Sequence, residues 1–376
     1  MMSNRLQKMT YNPNIPYNDL PDLPPVFDRD TSEVILNHAV KAARSLAELK
    51  GLCETLPRES LMNLLVNTII LQESRDSSAI ENIVTTQDEL YQAATDEVIN
   101  NESAREVLSY REALYSGLEY FKSHKNLITI NLLINVVQII KQNKSGIRTT
   151  PGVVLKSSVT GEVIYTPPCC EDIINEKLKK LEIFINDPEL CKLDPVIKLA
   201  LIHYQFESIH PFGDGNGRTG RILNSLYLVH QNLIPLPVLY LSSYIIDNKQ
   251  DYYQLLRGVT EKQNWSDWIL FMTTALNTAA LLTIEKIRGI LNLQKEMRPE
   301  TMSVLEKFSN REKLFDLMFT VPYLKIDLIV KKGIAHRQTA ALYLNLLESN
   351  GILEPLKRGR TTYYLNHRLM KLITSR

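Results

Sequence analysis

One twelve-residue segment constrains this chain more than any other: His210-Pro-Phe-Gly-Asp-Gly-Asn-Gly-Arg-Thr-Gly-Arg221. Proline and glycine at this density cannot continue a helix, yet helical apolar spacing stands on both sides. Upstream, Leu199, Ile202, His203, Phe206 and Ile209 form one stripe behind Asp194-Pro195, an N-cap followed by proline at the first helical position. Downstream, Ile222, Leu226, Val229 and Leu233 resume the spacing. The segment is a bend between two helices, and Pro211 is expected to push His210 toward an extended conformation. A glycine-rich bend feeding a helix start gathers backbone N–H groups and the positive end of a helix dipole at one point. That is an anion site suited to phosphate.

The side chains of the bend fit the same chemistry. Arg218 and Arg221 are three residues apart, so both guanidinium groups can meet phosphoryl oxygens from one side of a helix. Asp214 offers oxygen ligands for Mg²⁺ on a polyphosphate. His210 has the residue type of a general base, since imidazole titrates near neutral pH. These parts describe phosphoryl or nucleotidyl transfer by positioning and charge neutralisation. Gly215-Asn-Gly217-Arg-Thr-Gly220 also satisfies G-x-G-x-x-G, but a helix precedes it and no βαβ unit surrounds it, so a dinucleotide fold fails. No P-loop pattern occurs. A metal-hydrolase reading of His210 with Asp214 lacks its further ligands.

Around this bend the chain reads as mainly α. Residues 1–30, with Pro13, Pro16, Pro21, Pro24 and Pro25, form an extended arm, laid over the surface or loose. Helical periodicity fills Ser32 to Ser123, with breaks near Pro57 and Asn100. Ile147 to Pro168 departs from it: β-branched runs at Val153-Val154 and Val163-Ile164-Tyr165 flank a turn at Ser157–Gly161, a β-hairpin. Its edge can accept another chain as an added strand. Helices resume from Cys170 to Met297. Trp265, Trp268 and His203 read as core, and core packing also accounts best for most of Tyr240, Tyr244, Tyr252 and Tyr253.

The tail, 306–376, has a different character. Short helices at Arg311–Thr320 and Lys325–Gly333, a longer one at Ala335–Asn350, and two strands at Ile352–Pro355 and Thr361–Leu365 describe a winged helix-turn-helix with Lys357-Arg358-Gly359-Arg360 at its tip. Residues 325–376 hold ten Lys/Arg against three Asp/Glu, in a chain whose overall net charge is +1. DNA through this basic tail, with Arg337, Lys357, Arg358 and Arg360 on phosphates, is one candidate partner. Protein docking or dimerisation is the other. The four cysteines, Cys53, Cys169, Cys170 and Cys191, read as free thiols of a reducing compartment. No stretch approaches the roughly 18–20 apolar residues of a membrane span, and Met1–Tyr11 lacks a signal-peptide core. A cytoplasmic protein with no membrane partner is expected.

His210 to Arg221 resembles in full the motif HPFx(D/E)GNGRxxR of the Fic family, protein adenylyltransferases that move AMP from ATP onto a protein hydroxyl. The resemblance extends over about residues 30–300, with the tail an accessory common in bacterial members. It implies a Fic-type helical core with a β-hairpin flap plus a C-terminal winged helix-turn-helix domain. The divisions would be an arm (1–30), an N-terminal helical region (31–105), the core with trailing helices (106–305) and the tail (306–376). His210 would deprotonate the acceptor hydroxyl and Asp214 would bind Mg²⁺. Gly215, Asn216 and Gly217 would hold the α-phosphate, and Arg218 and Arg221 the β- and γ-phosphates, with Phe212 packed inside. The target protein would dock along the 147–168 hairpin, and the family commonly forms homodimers. Upstream, Ser77-Ser-Ala-Ile-Glu81-Asn82 is similar to the family's inhibitory motif, which implies Glu81 competing for Arg221 while Ser77 orients it. Run in reverse, the same site would remove AMP. A DNA-binding regulator acting through the tail is the non-enzymatic alternative.

Overall fold

The computed structural model describes residues 11–25, 29–56, 68–95, 101–150, 152–156, 160–358 and 361–375. The breaks expected at Pro57 and Asn100, the hairpin tip 157–159 and the wing residues Gly359 and Arg360 lie outside them. The chain divides into two compact units, one built from 1–44, 112–233 and 247–277, the other from 45–111, 234–246 and 278–376.

The first unit is helical around a central buried helix. In chain order its main elements are α1 (Arg29–Glu54, begun here), α2 (Ile130–Lys141), β1 (Leu155–Lys156), β2 (Val163–Tyr165), α3 (Glu171–Asn186), α4 (Pro195–Ile209), α5 (Asn216–His230) and α6 (Lys249–Lys262). Helix α4 starts as its sequence dictates: the Asp194 carboxylate accepts from Val196 N at 2.8 Å, with Pro195 in the first turn. It is buried nearly all round, from Val196 to Ile209, as a helix at the centre of a bundle must be. Helices α3 and α5 pack on it, and α2 packs on α5. His203 lies fully buried, stacked on Trp268 at 6.0 Å between ring centres. The Trp268 indole donates to the Ala200 carbonyl at 2.8 Å. His203, Trp265, Trp268 and Tyr252 are thus core side chains, whereas Tyr253 is exposed.

The hairpin forms with a shifted first strand, Leu155–Lys156 rather than Val153-Val154, pairing Leu155 with Tyr165 and Lys156 with Val163 across an irregular register. A two-stranded ribbon needs outside support, and β2 receives it. The Tyr165 hydroxyl donates to Ser208 O of α4 at 2.6 Å. Residues 11–25 of the arm are laid down rather than loose: Tyr17 N donates to Thr166 O at 3.0 Å, and Tyr11 stacks on Tyr165. Farther on, Lys177 Nζ and Gln205 Nε2 hold the carbonyls of Leu20 and Pro21.

The second unit holds α7 (Ile69–Ile80), α8 (Gln87–Ala93), α9 (Leu241–Asp247) and the tail. Two buried carboxylates fix α7. Glu73 accepts from Ser242 N at 2.8 Å and from its hydroxyl at 2.5 Å, and Asp76 accepts from the Tyr240 hydroxyl at 2.5 Å. In the tail, helices cover Arg311–Thr320, Ile326–Lys331 and Arg337–Ser349. The wing is larger than expected. β3 (Tyr323–Leu324) pairs with β5 (Thr361–Leu365), which pairs with β4 (Glu354–Arg358), a three-stranded sheet in place of two strands. A further helix, His367–Thr374, begins at Asn366, whose side chain accepts from Leu369 N. Two residues are too short for periodicity to reveal β3. Two of the cations assigned to DNA have acidic neighbours: Arg337 pairs with Asp327 at 2.6 Å and Arg358 with Asp88 at 3.5 Å.

One sequence expectation about apolar length fails. The helix Trp265–Val304 contains an 18-residue window that is long and apolar enough to cross a membrane by length and composition. Of that window 61% is buried inside the protein, as in a core helix.

Candidate active site

The bend sits in the first unit between the end of α4 and the start of α5. His210 caps α4 in the left-handed conformation, φ 49° and ψ 57°, with its N–H bonded to Phe206 O at 3.0 Å. This corrects the extended conformation expected from Pro211. Proline excludes the right-handed region for its predecessor, and a left-handed cap obeys that while still closing a last helical bond. Gly215, at φ 83°, then caps the N-terminus of α5. A Cβ there would lie 3.3 Å from Val137 and 3.5 Å from Lys141, so both conformation and space favour glycine. Helix α5 begins at Asn216, within the motif, and its first bond runs from Thr219 N to Gly215 O. The amides of Asn216 and Gly217 precede that ladder and face the positive end of the dipole.

Asn216 locks the bend into a ring. Its Oδ1 accepts from Phe212 N at 2.9 Å and its Nδ2 donates to Phe212 O at 2.8 Å. Phe212 is fully buried, as expected. The Asn216 side chain thus holds backbone, and an anion would meet its main-chain amide. Asp214 lies at the surface of the bend with its side chain 65% exposed. Lys141 Nζ stands 2.5 Å from its Oδ2, Gly215 N donates to Oδ1 at 2.6 Å, and Arg218 Nη2 lies 3.9 Å away. Partial burial would raise this carboxyl, but the Lys141 ammonium, the Gly215 amide and Arg218 outweigh it and hold Asp214 below the usual carboxylate range.

Arg218 and Arg221 are 2% and 1% exposed. Buried guanidinium groups carry a large desolvation cost and call for anionic company. The Arg221 charge is felt nearby: burial, reinforced by Arg221, pushes His203 down to about 3. His203 is therefore neutral, hydrogen-bonded to Tyr252 Oη at 2.8 Å and Asn224 Nδ2 at 3.1 Å.

Sequence reasoning passed over three residues of the site. Lys141, the last residue of apolar helix α2, supplies the counter-charge of Asp214. Arg148, 7% exposed, is the main brace of the bend. Its N–H donates to Pro211 O at 2.9 Å, its Nε to His210 O at 2.8 Å, and its Nη2 to Ile209 O at 3.3 Å and to Pro168 O. The one signal was a lone cation just ahead of the hairpin's β-branched run. Gly220 is the third. A Cβ there would collide with Glu207 Oε1 and lie 3.0 Å from Phe206 Cδ1, so α4 and α5 approach only over a bare Cα. Gly220→Ala is expected to cost about 1–3 kcal/mol in thermal unfolding. Gly213→Ala, with open space around it, should stay within about 0.5 kcal/mol of wild type.

The upstream motif belongs to the second unit. Ser77 is fully buried on α7. Glu81 stands just beyond the helix as its C-cap, exposed, and Asn82 follows at φ 63°. The motif therefore straddles a helix end, because the left-handed Asn82 turns the chain away.

Three family models match this chain in order. Fic/DOC family N-terminal covers residues 36–119, Fic/DOC family covers 127–228, and the C-terminal domain of SoFic-like protein adenylyltransferases covers 293–369. Protein adenylyltransferase fic-1 of Caenorhabditis elegans is 33% identical over 91 residues, 24% of this chain and 16% of that protein. A probable protein adenylyltransferase of Aquifex aeolicus is 32% identical over 124 residues, 33% of this chain and 36% of its own length. The matches thus span a minor part of these relatives. A Fic family protein from Desulfovibrio desulfuricans G20 superposes with a TM-score of 0.56 at 20% identity, covering 91% of this chain and 98% of its own. A Fic domain signalling protein from Bacteroides thetaiotaomicron gives 0.54 at 18%, covering 66% and 97%. Both show the fold. With the His210–Gly215 bend leading from buried α4 into α5, the rest of the motif forming the first turns of α5, and all three segments matched in order, the chain belongs to the Fic/DOC family.

Proposed function

We propose that this protein is an adenylyltransferase that moves AMP from ATP to a Ser, Thr or Tyr hydroxyl of a target protein, itself included. The carrying observation is that two buried guanidinium groups and the N-terminal amides of α5 share one bend with His210. In this reading the His210 imidazole takes the proton of the acceptor hydroxyl. Its oxygen attacks the α-phosphorus, and the bond to pyrophosphate breaks with its electron pair. Arg218 and Arg221 hold the β- and γ-phosphates, and the Asn216 and Gly217 amides face the α-phosphate, the Gly215 amide expected beside them being taken by Asp214 Oδ1. Asp214 fits a divalent cation: it is held ionised and exposed, and no group of three or more acidic, His or Cys ligands exists among the described residues. That donor set suits an ion held largely by substrate phosphates and water. Mg²⁺ bound there supplies charge neutralisation of the polyphosphate. The target segment docks along the 147–168 hairpin, which Tyr165 and the arm hold in place. ATP labelled at the α-phosphate should transfer its label to protein; transfer of γ-label instead would overturn the assignment in favour of phosphoryl transfer.

Inhibition by Glu81 belongs to this proposal. Its carboxylate competes with the γ-phosphate for Arg221, so ATP settles in an unproductive pose. The motif match and the exposure of Glu81 at a helix end support it. Glu81→Gly is expected to raise α-label transfer on the order of tenfold. An unchanged rate at equal protein stability removes the inhibitory role.

A further inference from the structure

Cys169 and Cys170 join the hairpin to helix α3, and their environment is specific. Their sulfurs are 3.4 Å apart, with the Cys170 thiol directed at Cys169 Sγ. The Asn18 side chain grips Cys169 from both ends. Its Oδ1 accepts from Cys169 N at 3.0 Å, and its Nδ2 donates to Cys169 Sγ at 3.6 Å. Cys170 is exposed and Cys169 half-buried, whereas Cys53 and Cys191 are buried. Cys170 also stands at φ 70° and ψ 136°, a conformation that costs a residue with a Cβ and marks a constrained joint. The thiol of Cys170 and the Asn18 amide, with Arg148 beyond them, hold Cys169 below the ordinary thiol range, while Cys170 is raised. The 3.4 Å approach puts the second sulfur within reach of any species formed on the first.

We propose that Cys169 and Cys170 form a modification site that peroxides oxidise to a vicinal disulfide, and that closing it disturbs the brace between Pro168, Arg148 and His210. The Cys169 thiolate attacks one peroxide oxygen, the O–O bond breaks, hydroxide leaves, and a sulfenic acid forms. Cys170 sulfur then attacks Cys169 sulfur. The S–S bond forms, the S–O bond breaks, and the hydroxyl departs with the Cys170 proton as water. The two sulfurs lose two electrons together, and the peroxide gains them. Ring closure must bring the sulfurs to about 2.05 Å across α-carbons only about 3.8 Å apart, below the usual range for a disulfide. The intervening backbone has to turn, and the strained product is readily reversed by thiols. The adjoining Pro168 carbonyl is bound by the same guanidinium that holds His210 O and Ile209 O. This coupling rests on the reading of His210 as part of the active site; the oxidation itself does not.

The test treats the full-length reduced protein with hydrogen peroxide and follows intact mass, alkylation and peptide maps. A loss of about 2 Da confined to the 169–170 peptide and restored by dithiothreitol is expected. Cys53 and Cys191 should remain alkylatable after unfolding. Cys170→Ser should instead trap a sulfenic acid at Cys169, captured by dimedone. Sulfinic or sulfonic products on wild-type Cys169, or no reaction there, overturn the site. Amide exchange reads the coupling: the Arg148 N–H should exchange about tenfold faster in the oxidised protein, and an unchanged rate overturns the coupling. Peroxide should also lower α-label transfer by wild type and spare Cys170→Ser. Absence of transfer from the reduced protein, beside a normal mass change, would sink the adenylyltransferase reading and leave the dithiol site standing.

Discussion

Replacing His210 with alanine should lower transfer of α-label from ATP by about 10²–10⁴-fold, the usual contribution of a positioned general base. The left-handed backbone at this position makes alanine an imperfect probe. A residue with a Cβ pays conformational energy at φ 49°, and Asn is among those that tolerate it best. His210→Asn therefore keeps the cap and removes only the imidazole. Both variants should bind ATP as wild type does, because the guanidinium groups and amides assigned to the triphosphate are untouched. The assay is single-turnover labelling, read beside nucleotide binding by calorimetry. Labelling by His210→Asn at the wild-type rate would remove His210 from the chemistry.

Arg148→Ala should destabilise the protein by about 3–5 kcal/mol, because one buried side chain satisfies several main-chain carbonyls at once. The guanidinium serves Pro168, Ile209 and His210 together. Its loss leaves three carbonyls without that donor, at about 1–3 kcal/mol for each that stays dry. At the size of this protein, thermal unfolding should fall by roughly 4–6 °C. Arg148→Lys keeps the charge but offers a point donor in place of a planar fork, so it should recover only part of the stability. Below its melting point, Arg148→Ala should also transfer AMP more slowly than its folded fraction accounts for, because the backbone of His210 has lost its brace. Unfolding of both variants at the wild-type temperature would show that water replaces the guanidinium freely.

Much of the scaffold was legible because local chemistry and tertiary packing agree. Asp194-Pro195 starts α4 in the sequence and in the structure. Helix Arg311–Thr320 and strand Thr361–Leu365 have the boundaries their patterns imply. Disagreement appears where a long-range partner settles the conformation. The hairpin strand lies at Leu155–Lys156, where it pairs with a β2 fixed by Tyr165 and the arm. Strand β3 is two residues long and exists only because β5 lies beside it.

The residue types of His210 to Arg221, and their order, were enough to place a sharp bend after one helix and ahead of the next, since glycine freedom and proline exclusion act over a few residues. Which groups brace that bend was a different matter. Arg148 is 62 residues from His210 along the chain and Lys141 lies 73 before Asp214. Lys141 reads locally as a surface cation, and the one local signal of Arg148, its place ahead of the hairpin, names no partner. Only the packing of α2, the hairpin lead and α4 brings them to the bend, because a carbonyl or a carboxylate finds its partner by position in space.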